Sequence, residues 1–348
     1  MNRRKRKFRY DRLIILLLLL ALTIYILVSF INLIVKAVDA IIGDDGETVH
    51  IGVSDDYSLL LPNEEVATLK TNTEYTPNPL IYNDNSVQLY DNINSKYALL
   101  YCVDDRKVLA RKSSQERMYP ASMTKVMTLI VAVENITDIE DTYTMSFEII
   151  NPLYLQNATV TGFKSGDVVT IRDLLYGIIL PSGADATVSI AEYVAGSEEA
   201  FVELMNKKAE ELGLIDTHFT NTSGLHDDNH YTTAYDMGII LDYAINNELC
   251  KRILSTYKYT TTGTTTNPDT DEEYHIEFYS TMFNKVSSDH IDGMEICGGK
   301  TGYTYQSGHC LVSFAKKRNN TYIAVTAMGE NKHSPVYDMI KMYEDYTY

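Results

Sequence analysis

Ser122-Met123-Thr124-Lys125 sets a hydroxyl and an amine three residues apart at the start of an apolar, helix-patterned run. On a helix this spacing puts both side chains on one face about a turn apart, so the lysine can serve the serine as a base. Such a partner is needed, because a serine hydroxyl is a weak nucleophile at neutral pH. A lysine withdrawn from water and set near another cation has its pKa lowered enough to take the proton. The helix start adds free backbone N–H groups that can hold a developing oxyanion. The spacing alone is not selective: Ser255-Thr256-Tyr257-Lys258 and Ser313-Phe314-Ala315-Lys316 share it. Both fall in or beside strand-like runs, where a three-residue step sends the side chains to opposite faces.

Lys300-Thr301-Gly302 ends a predicted strand and follows Gly298 and Gly299. A cation and a hydroxyl on a strand edge can grip a carboxylate, while the glycines let a substrate come close to the backbone. Lys164-Ser165-Gly166 has the same form, but the Asp167 that follows marks an ordinary turn. His218, His226 and His230 sit near Asp227 and Asp228 in a stretch that reads as a loop before a helix. They are expected to be structural or to line a groove, with no metal. Cys102, Cys250, Cys297 and Cys310 are scattered without ligand spacing, so zinc is not indicated. Buried free thiols are expected.

These groups need a scaffold. Residues 97–103 and 107–110 are β-rich around an Asp104-Asp105 turn, which predicts an opening hairpin. Helices are predicted over 121–135, 170–179, 184–194, 198–211 and 233–246, with Gly196 and Gly213 as stops. Strands are predicted over 257–262, 294–301, 310–315 and 322–328, then a closing helix over 334–346. Strands at both ends with helices between them predict an α+β fold: an antiparallel sheet flanked by helices, with an inserted helical subdomain.

The chain has 348 residues and a formal net charge of −17, so it can bury a large core and is a poor match for nucleic acid. Arg3, Arg4, Lys5, Arg6, Lys7, Arg9 and Arg12 crowd ahead of an uncharged apolar run over 13–35. About 20 apolar residues suffice to span a bilayer. The expectation is a cytoplasmic basic tail over 1–12, one transmembrane helix over 13–35, and an extracytoplasmic remainder, by the positive-inside rule. A cleaved signal peptide is the rival reading, although secretory apolar cores usually run about 7 to 15 residues. Residues 36–91 are polar and broken by Pro and Gly, as a linker or stalk would be.

Ser122-x-x-Lys125, Pro181-Ser182-Gly183-Ala184-Asp185-Ala186 and Gly299-Lys300-Thr301-Gly302 occur in the order of the three motifs of penicillin-binding proteins and serine β-lactamases. The region from about Ser95 onward most resembles the serine D-alanyl-D-alanine carboxypeptidase family. Tyr119-Pro120-Ala121-Ser122, Asp173-Leu174-Leu175-Tyr176-Gly177, Asn221-Thr222-Ser223-Gly224-Leu225 and His230-Tyr231-Thr232-Thr233 carry the likeness. The resemblance implies a penicillin-binding carboxypeptidase domain over 92–348, anchored in the cell membrane by residues 13–35. It implies that Ser122 is acylated, Lys125 is the general base and Ser182 relays protons to the leaving amine. Lys300 and Thr301 would bind the terminal carboxylate of a peptidoglycan stem peptide ending in D-Ala-D-Ala, with Gly302 and Tyr303 also among the substrate-binding residues. The N–H groups of Ser122 and Tyr303 would form the oxyanion hole. β-Lactam antibiotics would be covalent inhibitors, and no cofactor is implied.

One position departs from that pattern. The family usually has Asn two residues after the second-motif serine, and here it is Ala184. The lost amide opens an alternative, a catalytically impaired protein that only binds penicillin or cell wall. A β-lactamase fits less well, because neither a Ser-Asp-Asn second motif nor an added carboxylate base is found.

Overall fold

The computed structural model describes residues 79–348, apart from 83–85, 91, 263–264, 267–272, 287–288 and 292. Seven strands make the central sheet: β1 Val87–Gln88, β2 Tyr97–Cys102, β3 Lys107–Lys112, β4 His290–Ile291, β5 Met294–Thr304, β6 Gly308–Lys317 and β7 Asn320–Gly329. Their order is β1-β3-β2-β7-β6-β5-β4. The early and late strands of the sheet meet where β2 pairs with β7, Leu99 standing opposite Val325. Neighbours are antiparallel except the edge pair, where β1 runs parallel to β3.

Every residue of β2 is buried, because both faces of the sheet are covered. Side chains alternate across a strand, and here the alternation divides two cores. Tyr97, Leu99, Tyr101, Val312, Phe314, Ile323 and Val325 face the helical layer. Ala98, Leu100, Cys102, Leu311, Ala315, Tyr322 and Ala324 face the other core, with Met339, Met342 and Tyr343 of the closing helix Ser334–Tyr346. Asp338 of that helix accepts from the N–H and hydroxyl of Ser95, both at 2.6 Å, tying the last helix to the chain just before β2.

Among the described residues seven further α-helices lie between β3 and β4: α1 Lys125–Asn135, α2 Phe147–Leu155, α3 Ile171–Ile179, α4 Ala184–Ala195, α5 Glu198–Glu211, α6 Ala234–Ile245 and α7 Glu248–Leu254. Five of these seven starts carry a side-chain cap, α1 and α4 being the exceptions. Thr170 and Asp173 form a reciprocal capping box on α3, and Ser197 and Thr233 cap α5 and α6. Gly196 ends α4 in the left-handed conformation, at φ +81°.

The expected single-pass membrane architecture is corrected. Among the described residues no helix is long and apolar enough to cross a membrane, so the fold there is an α+β domain without a transmembrane helix. The 14 residues of α5 rise about 21 Å at 1.5 Å each, short of a bilayer core of about 30 Å. The expected membrane helix over 13–35, the basic tail over 1–12 and the linker up to residue 78 lie outside the described residues.

Candidate active site

Ser122 stands on a 3-10 turn, Ala121–Thr124, and Lys125 opens α1 directly behind it. The sequence pattern predicts a continuous α-helix from residue 121; the first turn is tighter, and Ala121 enters it at φ +48°. A non-glycine residue in that region costs on the order of 1–3 kcal/mol. The tight turn brings the two groups together: Lys125 Nζ donates to Ser122 Oγ at 3.1 Å. The same amine donates to the Ser223 carbonyl at 2.7 Å. Burial pulls the Lys125 pKa down to about 7, against the upward pull of Asp185 and Glu198.

The loop that supplies the Ser223 carbonyl is itself fixed. Asn221 Oδ1 accepts from the N–H groups of Ser223 and Gly224, at 3.2 and 2.7 Å. Thr222 donates its N–H and hydroxyl to Glu198 at 2.9 and 2.7 Å. Gly224, at φ +80°, lies so close to the nucleophile turn that an added Cβ would sit 1.9 Å from the Ala121 carbonyl oxygen. His230 braces the turn from behind. Its Nδ1 accepts from the Thr220 N–H at 3.2 Å, so the proton is on Nε2, which donates to Thr124 Oγ1 at 2.8 Å. Burial lowers the His230 pKa to about 4, so the ring is neutral at pH 7.

Ser182 precedes α4 and is held at φ +68°. Beside it Asp185 is fully buried and accepts from the N–H and hydroxyl of Thr161 at 2.9 and 2.5 Å; burial raises its pKa. Ala184 donates its N–H to the Thr159 carbonyl at 2.7 Å. The Ala184 methyl is buried with Ile149 and Leu153, against Ala158, Val188 and Leu225.

Lys300 is also buried, and its Nζ donates to the Thr301 carbonyl at 3.0 Å. Burial first, and then the Lys125 and Lys285 cations, hold its pKa well below the lysine range. Thr301 donates its hydroxyl to Thr281 at 2.8 Å. At Gly302 a Cβ would lie 3.0 Å from the Ser122 nitrogen, so β5 passes directly against the backbone of the nucleophile. Gly298 and Gly299 serve packing, not substrate approach: their missing side chains make room for the Leu254 and Val312 carbonyls, each 2.3 Å from where a Cβ would stand.

One cleft gathers most of these groups. Ser122, Lys125, Ser182, Ala184, Ser223, Leu225, Tyr303 and Thr304 line it, as do Asn157, Ala158, Thr159 and Gly224. Lys300, Thr301 and Gly302 are not on its wall; the strand reaches the cleft through Tyr303 and Thr304. Asn157, the Ser223 carbonyl and Thr281 were missed by sequence reasoning. A main-chain acceptor has no side-chain signature, and a lone Asn or Thr has no spacing to mark it.

The look-alike motifs separate as their settings require. Ser313 is buried and shares a hydrogen bond with the Tyr343 hydroxyl, whereas Lys316 is exposed. Ser255 ends α7 while Lys258 stands on a short strand. Lys164 to Asp167 is a turn, closed by Asp167 N–H on the Lys164 carbonyl. All four cysteines are free thiols. Among the described residues no group of three His, Cys, Asp or Glu could hold a metal ion.

This arrangement has close counterparts. The D-alanyl-D-alanine carboxypeptidase DacF of Bacillus subtilis is 35% identical over 235 residues, 66% of this chain and 56% of that protein. DacC of Escherichia coli K12, also described as a D-alanyl-D-alanine carboxypeptidase, is 32% identical over 233 residues, 63% of this chain and 52% of that one. The chain thus spans about half the length of these curated relatives. The crystal structure of the Streptomyces K15 DD-transpeptidase superposes with a TM-score of 0.65 at 25% identity, covering 72% of this chain and 97% of that one. The profile of the family described as D-alanyl-D-alanine carboxypeptidase matches residues 83–331, and with the Ser122–Lys125 pair inside that span, the chain belongs to this family.

Proposed function

We propose that the protein is a serine-type D-alanyl-D-alanine carboxypeptidase that removes the terminal D-alanine from peptidoglycan stem peptides. The observation that carries the reading is the Lys125 amine, buried, titrating near 7 and 3.1 Å from the Ser122 hydroxyl. A half-neutral amine at neutral pH is matched to general-base work. Lys125 takes the Ser122 proton, and Ser122 Oγ attacks the carbonyl of the penultimate D-alanine. The N–H groups of Ser122 and Tyr303 hold the oxyanion, and Ser182 passes a proton to the amine of the departing D-alanine. Water then hydrolyses the acyl-enzyme, again with Lys125 as base. Lys300 and Thr301 bind the terminal carboxylate, and Gly302 lets β5 lie against the nucleophile turn beside the substrate. β-Lactams acylate the same serine and leave it slowly.

Incubation with a labelled penicillin and, separately, with a D-Ala-D-Ala tripeptide tests this. Stoichiometric labelling with release of D-alanine, both lost in Ser122→Ala, is expected. Rapid penicillin turnover would indicate a β-lactamase instead, and labelling without D-alanine release an impaired binding protein.

A further inference from the structure

Asn157 is the one carboxamide on the cleft wall among the described residues. The end of α2 puts it there. Asn157 N–H donates to the Tyr154 carbonyl and Ala158 N–H to the Leu153 carbonyl, both at 3.0 Å, with Asn157 at φ +54°. This is a Schellman turn, which needs a left-handed residue at that position, usually Gly and sometimes Asn. Leu153 and Ala158 on either side of the turn pack in the same apolar group as Ala184 and Leu225, which fixes the turn against the cleft. Backbone conformation alone would be served as well by glycine.

The side-chain amide makes no hydrogen bond among the described residues. Of the other polar groups on the wall, Lys125 is engaged with Ser122 and Ser223, the Ser223 hydroxyl with Asn221 and the Thr304 hydroxyl with Ser307, while Ser182 is committed to the leaving amine in the reading above. A D-Ala-D-Ala peptide brings three polar features to the site. Its carboxylate goes to Lys300 and Thr301, and its reacting carbonyl to Ser122 and Tyr303. The peptide group preceding the penultimate D-alanine is left, and burying it unpaired against Ala158, Ala184 and Leu225 would weaken binding.

We propose that Asn157 is a substrate-binding residue whose carboxamide hydrogen-bonds the peptide group preceding the penultimate D-alanine. The inference rests on the carboxypeptidase reading above.

Asn157→Gly removes the amide and keeps the turn. Its kcat/KM is measured on an N-acylated tripeptide ending in D-Ala-D-Ala, and on the analogue in which the peptide group before the penultimate D-alanine is an ester. Asn157→Gly should lower kcat/KM on the peptide roughly tenfold to thirtyfold, as expected for one or two hydrogen bonds, with Tm held or raised. Wild type should lose a similar factor on the ester, and Asn157→Gly should discriminate little between the two substrates. Because that comparison is made within each protein, it still reads the contact if the variant is less stable. Peptide turnover within twofold of wild type in Asn157→Gly, or an equal ester penalty in both proteins, would overturn the proposal. Absence of D-alanine release by wild type would bring down the carboxypeptidase reading itself, a result distinct from either.

Discussion

The amine of Lys125 and the carbonyl of Ser223 meet at 2.7 Å, so the base is aimed by a main-chain atom of a loop about a hundred positions later. That loop is held by Asn221 and Glu198 and pressed onto the nucleophile turn at Gly224. Geometry at the reacting atoms therefore depends on residues that touch none of them.

Gly224 is the sharpest test of that dependence. A methyl group there meets the Ala121 carbonyl oxygen at 1.9 Å and requires a left-handed alanine. Backbone cannot yield as a flexible side chain can. Gly224→Ala should destabilise the domain by about 3 kcal/mol or more and push the Ser223 carbonyl away from Lys125. Thermal melting together with penicillin labelling would show it, and an unchanged Tm with normal labelling would refute the close packing.

Lys125 ties activity and stability to pH in the same sense, although its neutral amine costs the fold stability at pH 7. With a pKa of about 7, acylation of Ser122 should rise as pH rises through 7 and then level off, because the free amine is the base. Folding meanwhile pays for holding that amine neutral while the unfolded chain keeps it charged up to about 10.5. Between those values the unfolded state binds more protons, so wild-type stability from this group grows with pH. Lys125→Met should be inactive yet more stable at pH 7, on the order of 2 kcal/mol after allowing for the hydrogen bond lost at Ser223. The gain should shrink toward pH 10. Denaturant unfolding of both proteins at the two pH values checks the sign.

What could be read from the residues follows from whether side chains or backbone carry it. Ser122, Lys125 and Ser182 stand out in the sequence because distinctive side chains sit at motif spacing before recognisable helices, whereas Tyr303 enters only through the resemblance, for its backbone N–H; all four line the cleft. Gly196 and the α5 boundaries were legible from turn chemistry and period. Two helices were not: Pro152 interrupts the period of α2, and α7 has only seven residues. Gly298 and Gly299 read in the sequence as room for substrate, since sequence cannot distinguish room left for a ligand from room left for the Val312 carbonyl. The position of the Lys300 amine, turned to the Thr301 carbonyl and off the cleft wall, is likewise a matter of tertiary packing.

His230 predicts a pH-dependent mutational cost. The buried neutral ring has a pKa of about 4 against an ordinary 6.5, so its stabilising contribution is full above 6.5 and is lost as pH falls toward 4. Asp236, raised to about 6 by burial, acts the other way: the stability that goes with its protonated form is present at low pH and lost as pH rises through 6. The two nearly offset in wild type between pH 4 and 6. Comparing wild type with His230→Gln cancels the Asp236 contribution, and the substitution should cost about 2 to 3 kcal/mol more at pH 7 than at pH 4.5. A cost independent of pH would mean that His230 is not buried neutral.

Ala184 decides whether the site is weakened or adapted. Its methyl is 2% exposed and packed among Ile149, Leu153 and Leu225, so a longer side chain that does not enter the cleft meets hydrocarbon. An asparagine turned that way must either displace those side chains or bury an amide beside them. Overpacking costs about 1 to 3 kcal/mol, and an unpaired buried amide adds about 1 to 3 more. Ala184→Asn should therefore lower Tm by several degrees and leave D-Ala-D-Ala turnover unchanged or reduced. Steady-state kinetics and a melting curve on the same preparation give both readouts. A rise in kcat of tenfold or more, with Tm preserved, would show instead that the wall has room for the amide and that alanine at this position is an impairment.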